Sequence, residues 1–301
     1  SSPACAPAAS PRRRTPATAK RNELAMNAAS RPNTTVNTAP SAAPIASIAP
    51  HVDDWDEAEA FPRDLYRKAA DVGLLGLGFP EEFGGIAGTD TFHRLIASVE
   101  LAQCGSGGVV ASLMSHTIGG PLVALLGSPQ LKARMLPPVL AGERIAALAI
   151  TEPSGGSDVS ALRTVATRDR DHFVVTGEKT FITSGMRADF FTTAVRTGGE
   201  GAGGISLLLI ERDSPGVSVS APLKKMGWLC SDTAEIGFDG VRVPVANLIG
   251  PEDSGFLQIM TQFEADFFGR QATQSTVTTL TTLDDVRIPS YLWVPRFASA
   301  G

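Results

Sequence analysis

Apolar residues change their spacing close to Gly142, from a helical interval to that of short strands, and no single element can satisfy both spacings. Ahead of that point the interval is helical. Within residues 53–73, Leu65, Ala69 and Val72 fall at i, i+4 and i+7, and Gly73 offers a stop. Residues 76–85 read as a loop from their glycines and proline. Phe92, Leu95, Ile96 and Val99 mark a second helix, capped by Thr89 or Asp90. Residues 109–126 are mostly apolar and uncharged, which suits a helix buried on most sides. Ser128 and Pro129 read as cap and first turn of a helix carrying Leu131, Met135 and Leu136, expected to stop before Pro137.

After Gly142 the pattern is one of short strands. Residues 146–150 form an apolar run, followed by a loop of small residues at 151–158. Residues 173–183 read as two strands across a turn at Gly177, and 205–210 as a buried strand. Shorter strands are expected at 217–219 and 234–238, with 241–244 at an edge because of Pro244. Such strands, punctuated by Gly and Pro, build a barrel or sandwich. A helix resumes at 255–268 with Phe256, Ile259, Met260 and Phe263 on one side, and 271–301 shows no sustained period. The expected organisation is an α+β multidomain fold. It has a basic disordered tail (1–49), a helical N-terminal domain (50–143), a domain of short strands, barrel or sandwich (144–252), the start of a further helical region (253–270) and a divergent tail (271–301).

Charge and composition exclude several functions. Six basic residues and one acid, Glu23, lie in the first 50 residues, so the remainder is more acidic than the overall net charge of −5. An acidic body argues against nucleic acid as partner. The basic segment is diluted by Ala, Pro, Ser and Thr and lacks the apolar surface to fold. It resembles an organellar transit peptide in composition, and equally a translated leader ahead of Met26. No apolar run is expected to reach the length of a membrane span. Cys5, Cys104 and Cys230 are scattered and odd in number, as are buried or idle thiols of a reducing compartment. The histidines are too far apart for a zinc or haem site.

No phosphate-binding glycine loop, dinucleotide fingerprint or serine-nucleophile elbow occurs. Two segments remain. Residues 149–158 (AITEPSGGSD) gather hydroxyls and backbone amides into a loop of small residues after an apolar strand, so a flat or anionic ligand can approach the backbone closely. An ordinary turn between strands has the same composition. Residues 179–185 (KTFITSG) set Phe181 between hydroxyls, where it either flanks a ring system or packs in a core.

Taken in order, residues 79–85 (FPEEFGG), 136–143 (LPPVLAGE), 149–158, 177–185 (GEKTFITSG) and 226–244 (MGWLCSDTAEIGFDGVRVP) resemble the acyl-CoA dehydrogenase family, in its isovaleryl- and long-chain-like branch. The resemblance runs from about Pro50 to Ala265. It implies a helical N-domain, a β-barrel and a C-terminal helical bundle, with the bundle largely absent here because the sequence departs from the family after Ala265. It also implies FAD as cofactor and oxidation of an acyl-CoA to its 2,3-enoyl-CoA, a base taking the α-proton while a hydride leaves the β-carbon. Electron-transfer flavoprotein is the implied electron acceptor, oxygen being the oxidase-like alternative.

Residue by residue, the resemblance places Leu148, Ile150 and Thr151 against the flavin ring, largely through backbone groups and the Thr hydroxyl, and Ser157 near flavin phosphate and acyl-CoA. Phe181 stands where the family more often has Trp, with Thr183 beside it, and the loop 228–233 lies near CoA or acyl chain. The base falls at Asp266, where that branch has Glu on the first helix after the barrel; Asp is one methylene shorter, which displaces the carboxylate by roughly 1 Å. Homo-oligomers are implied for the family, their interface lying in the bundle. The compartment follows the source: cytoplasmic for a bacterial protein, mitochondrial matrix for a eukaryotic one. The different expectation is a catalytically dead fragment that acts, if at all, through interaction.

Overall fold

A computed structural model describes residues 47–268, with side chains as far as residue 262. The tails expected at 1–49 and 271–301 lie outside the described residues, apart from 47–49. Helices come first: α1 (Val52–Glu57), α2 (Asp64–Asp71), α3 (Thr91–Ala102), α4 (Gly107–Leu113), α5 (His116–Leu126) and α6 (Pro129–Leu140). The strands follow as β1 (Ala146–Ala149), β2 (Val165–Asp169), β3 (His172–Thr183), β4 (Phe190–Arg196), β5 (Ile205–Glu211), β6 (Val217–Val219), β7 (Thr233–Pro244) and β8 (Leu248–Ile249), and α7 (Gly255–Phe268) closes the described chain. The strands form one sheet in the order β6-β7-β3-β2-β4-β5-β8, with β1 beside β4. Most pairs are antiparallel; β1 and β2 each run parallel to β4.

Several expectations are corrected. The helix expected within 53–73 is two helices, because Pro62 cannot donate in a ladder and its ring clashes with the preceding turn. Prolines 137 and 138 do not end α6; it runs to Leu140. Proline lacks a donor but keeps its acceptor, and the carbonyls of Pro137 and Pro138 take the N–H groups of Ala141, Glu143 and Arg144 at 2.9–3.0 Å. Meanwhile Leu136, Val139 and Leu140 bury the continuing turn. Helix α3 forms on the expected residues, capped by Asp90 in a reciprocal bond with His93. Its apolar face is nevertheless open: Phe92, Leu95, Ile96 and Val99 are all more than half exposed, and Leu101 is its buried residue. The segment 109–126 is α4 and α5, interrupted at Met114–Ser115. Together Gly107–Leu126 is long and apolar enough for a membrane span by length and composition, against expectation, although half of it is buried within the protein.

Strand β3 is also one element rather than two. Gly177 makes no turn; it sits at φ +148° in a register shift against β7, where an added Cβ would lie 2.6 Å from the Thr164 Cα. Gly177 thus lets two backbones meet, as glycine does at a bulge. Likewise 234–238 and 241–244 are parts of β7. Behind the strands, Phe173, Phe191, Leu207, Leu208 and Leu209 are fully buried.

The helices join the sheet through small polar groups. The Ser115 hydroxyl donates to the Ala146 carbonyl at 2.9 Å, Tyr66 Oη to the Ser112 carbonyl at 2.9 Å, and the Ser112 and Ser231 hydroxyls meet at 2.9 Å. His116, buried at the start of α5, reaches the Leu75 carbonyl at 3.0 Å and stacks on Phe79. Burial pushes its pKa down to about 4, and its backbone hydrogen bonds only partly oppose this. Both described cysteines are buried free thiols, as expected. Burial, then Asp56, pushes the Cys230 thiol up to about 11.

Two outcomes follow from these positions. The unfolded chain protonates its histidine near pH 6.5 and the folded His116 only near 4, so stability should fall as pH drops through that window. Urea midpoints at pH 7 and pH 5 measure it, and His116→Gln should flatten the difference. Gly177→Ala should destabilise the fold by about 2 kcal/mol or more, since the Cβ meets backbone; a denaturant titration reads this directly.

Candidate functional site

Strand β3 loses its regular pairing with β7 a second time, between Lys179 and Ile182. At this bulge Phe181 adopts φ +58°, the left-handed region that a bulky residue seldom enters, and is 67% exposed. The bulge re-aims the ring outward while its neighbours Lys179, Thr180 and Ile182 stay buried. An exposed aromatic held in a strained conformation by buried neighbours is a feature of ligand sites rather than of cores.

The loop after β1 lies alongside. The Thr180 N–H donates to the Thr151 carbonyl at 2.8 Å, so Thr151 and Phe181 belong to touching segments. The turn that follows is closed by reciprocal bonds between Glu152 and Gly155 at 3.0 and 3.1 Å. Residues 153–158 are exposed, and Gly156 lies so close to the Thr151 side chain that an added Cβ would meet its Cγ2 at 3.0 Å. Asp158 bonds Ser160, starting a short helical turn (Val159–Ala161).

Glu152 and Lys179, which the sequence reading passed over, are the charges of this region. Their side chains are 4% and 0% exposed and meet at 2.7 Å. Glu152 also accepts the amides of Thr164 at 2.9 Å and Arg163 at 2.5 Å; Lys179 Nζ also donates to the Ile150 carbonyl at 3.1 Å. Burial lowers the Lys179 pKa to about 8, a fall that the Glu152 charge limits. Burial alone would raise the Glu152 carboxyl, but Lys179 and the hydrogen bonds bring it below its usual value. The signal was present: Lys179 shares the inward parity of Phe173 and Val175 on β3.

The other expected residues divide. Thr183 is half-buried, pairs with Thr233 of β7 and lies on the same strand end as Phe181. Ile150 and Thr151 are half-buried next to the bulge, and Ser157 is exposed farther along the loop. Leu148 is half-buried, its Cδ1 3.6 Å from the Cβ position of Gly119 on α5. Asp266 falls within α7, but its side chain lies outside the described residues. In the loop 228–233, Trp228 is exposed at φ +54° and its indole crowds Gly107 of α4. Lys225 pins this loop through the carbonyls of Trp228 and Ser231.

An open aromatic face, a loop of small residues and the hydroxyls of Thr151, Thr183 and Ser157 suit a flat ring with polar edges. Among the described residues no cluster suited to a metal ion occurs.

Helices followed by a mostly antiparallel sheet, with such a site at one end, define an α+β protein suited to a planar ligand. Comparison with known proteins makes the class specific. The family model for the acyl-CoA dehydrogenase N-terminal domain matches residues 45–143, and that for the middle domain residues 147–241. The chain belongs to the acyl-CoA dehydrogenase family. It is 39% identical over 210 residues to the mitochondrial isobutyryl-CoA dehydrogenase of Dictyostelium discoideum, covering 69% of this chain and 50% of that one. A crystal structure of a probable acyl-CoA dehydrogenase from Mycobacterium abscessus is similar at 51% identity and TM-score 0.74, over 79% of this chain and 64% of the other. An acyl-CoA dehydrogenase of Bacillus anthracis, solved in complex with FAD, is similar at 30% identity and TM-score 0.67, over 74% and 39%. The chain spans about half the length of the curated relatives it matches.

The strain at residue 181 is testable without any ligand. Phe181→Gly should leave stability within about 1 kcal/mol of the parent, because relief at positive φ offsets the flexibility that glycine adds. Phe181→Val should lose about 1–2 kcal/mol, since a β-branched residue is disfavoured there. Paired urea titrations distinguish them.

Proposed function

We propose that this chain carries the flavin-facing part of an FAD-dependent enzyme that oxidises an acyl-CoA to its 2,3-enoyl-CoA. The observation that supports the reading best is Phe181, exposed and strained on the β3 bulge beside the anchored Thr151 loop. Bound FAD supplies a hydride acceptor for the substrate β-carbon. Phe181 would lie against the ring, Thr151 and Thr183 would bond its polar edge, and the backbone of Leu148 and Ile150 would line it. Ser157, on the exposed loop, would meet the phosphate or the acyl-CoA.

Asp266 is proposed as the group that takes the α-proton. An α-carbon is a weak acid, so a carboxylate serves only when the thioester carbonyl is hydrogen-bonded and water is kept out. The finer partners belong to this reading as well: electron-transfer flavoprotein as acceptor, and a homo-oligomer of the kind the family forms. The open apolar face of α3 favours a second reading, a chain that acts through association alone.

The visible absorption spectrum of the purified chain, followed by titration with a panel of acyl-CoAs, decides between them. A flavin band that bleaches with one acyl-CoA supports the enzyme, and Asp266→Asn should then slow bleaching by roughly 100-fold or more. A colourless, self-associating protein by sedimentation overturns it in favour of the second reading.

A further inference from the structure

Removing two charges from water is expensive, and a buried ion pair is often replaceable by apolar side chains of similar size without loss of stability. The Lys179–Glu152 pair therefore needs a reason beyond holding the fold together. Its bonds converge on one short stretch of chain. Lys179 Nζ takes the Ile150 carbonyl at 3.1 Å, and Glu152 takes Lys179 at 2.7 Å. The Thr151 carbonyl between them takes the Thr180 N–H at 2.8 Å, and the turn closes through Glu152 and Gly155. Three consecutive residues are thus fixed against two consecutive residues of β3, and Phe181 is the next residue along that strand. Glu152 ties the far end of the same loop through the amides of Arg163 and Thr164. Neither charged group reaches the surface, so neither can touch a ligand.

We infer that Lys179 and Glu152 are positioning residues: they set Thr151 and the 153–158 loop at a fixed distance from Phe181, and so define the slot between loop and aromatic face. As a slot for flavin, this rests on the functional reading above; as a statement about the loop, it stands without it. The buried pair acts through the Ile150 carbonyl and the Arg163 and Thr164 amides, which an apolar pair of equal volume cannot bond.

The test compares the full chain with Lys179→Met/Glu152→Gln, which keeps shape and removes both charges, and with Glu152→Asp, which keeps the charge and shortens its reach. Amide hydrogen exchange at Glu152, Gly155 and Thr180 reports the loop, thermal denaturation reports the fold, and FAD titration of the apoprotein reports the slot. The inference expects both variants to unfold cooperatively near the parent's midpoint. It expects exchange at those three amides, and the FAD dissociation constant, to rise roughly tenfold or more.

Parental exchange rates at the three amides in the double variant overturn the inference. So does loss of the cooperative fold in both variants, because the pair is then a stabilising element of the whole sheet. If the parent chain binds no FAD, the flavin reading fails on its own, and the exchange rates still decide whether the pair positions the loop.

Discussion

An ammonium group can be taken out of water only if acceptors surround it, and in this protein that requirement organises one end of the sheet. Side chains alternate along β3, so residue 179 points inward with Phe173 and Val175. A lysine there draws in the Ile150 carbonyl and the Glu152 carboxylate. The carboxylate then has lone pairs to fill, and the amides of Arg163 and Thr164 fill them. The chain between 150 and 164 is thereby folded over the strand end. Thr180 gives its N–H to Thr151 rather than to β7, the β3–β7 register slips, and Phe181 turns outward. One buried charge thus connects the strand's alternation, its bulge and the exposed ring.

The same principle recurs where helices meet strands. Asp189, at the start of β4, accepts the Ile145 N–H at 2.8 Å and is faced by Arg63 and Arg144. Asp232, just ahead of β7, accepts the Met186 N–H and pairs with Arg187, whose guanidinium lies 4.2 Å from the Phe61 ring centre. Each carboxylate is fixed by a backbone donor and an arginine, and through Arg63 or through Arg187 on Phe61 it reaches the helical region, a geometry stronger than a surface ion pair. The Asp232 carbonyl also receives the Ser184 N–H at 2.9 Å, which fixes the strand end that carries Thr183. Rigid supports on both sides of Phe181 are what allow a strained residue to persist there.

Much of this was legible in the sequence, for identifiable reasons. Periodicity gave the helices and most strands because burial on one face is a local property of the chain. The caps at Asp90 and Ser128 were legible because an orphan N–H needs a nearby oxygen. Where the reading failed, a distant group decides. Gly177 resembles a turn until Thr164, just ahead of β2, is seen against it. Pro137 and Pro138 resemble a stop until their carbonyls are seen to close the next turn. Lys179 went unread because a turn expected at Gly177 breaks the parity that links it to Phe173 and Val175, and its partner lies 27 residues earlier.

Phe181 and helix α3 both conflict with the rule that local choices agree with the fold, and they differ in kind. At Phe181 the conflict is in the backbone, and the surroundings are rigid and polar. A strained aromatic there gains nothing for stability, so its value lies in what the ring presents. Along α3 the backbone is relaxed and well capped, and the conflict is in the side chains: a regular apolar stripe with water on it. Periodicity of that quality is a cost to solubility unless something covers it. The first conflict calls for a ligand of defined shape, because fixed strain matches only a fixed slot. The second is resolved by any apolar cover of helical pitch, because the stripe specifies spacing but no hydrogen bond. The Phe181 end of the sheet and the open helix therefore make separate demands, and satisfying one leaves the other standing.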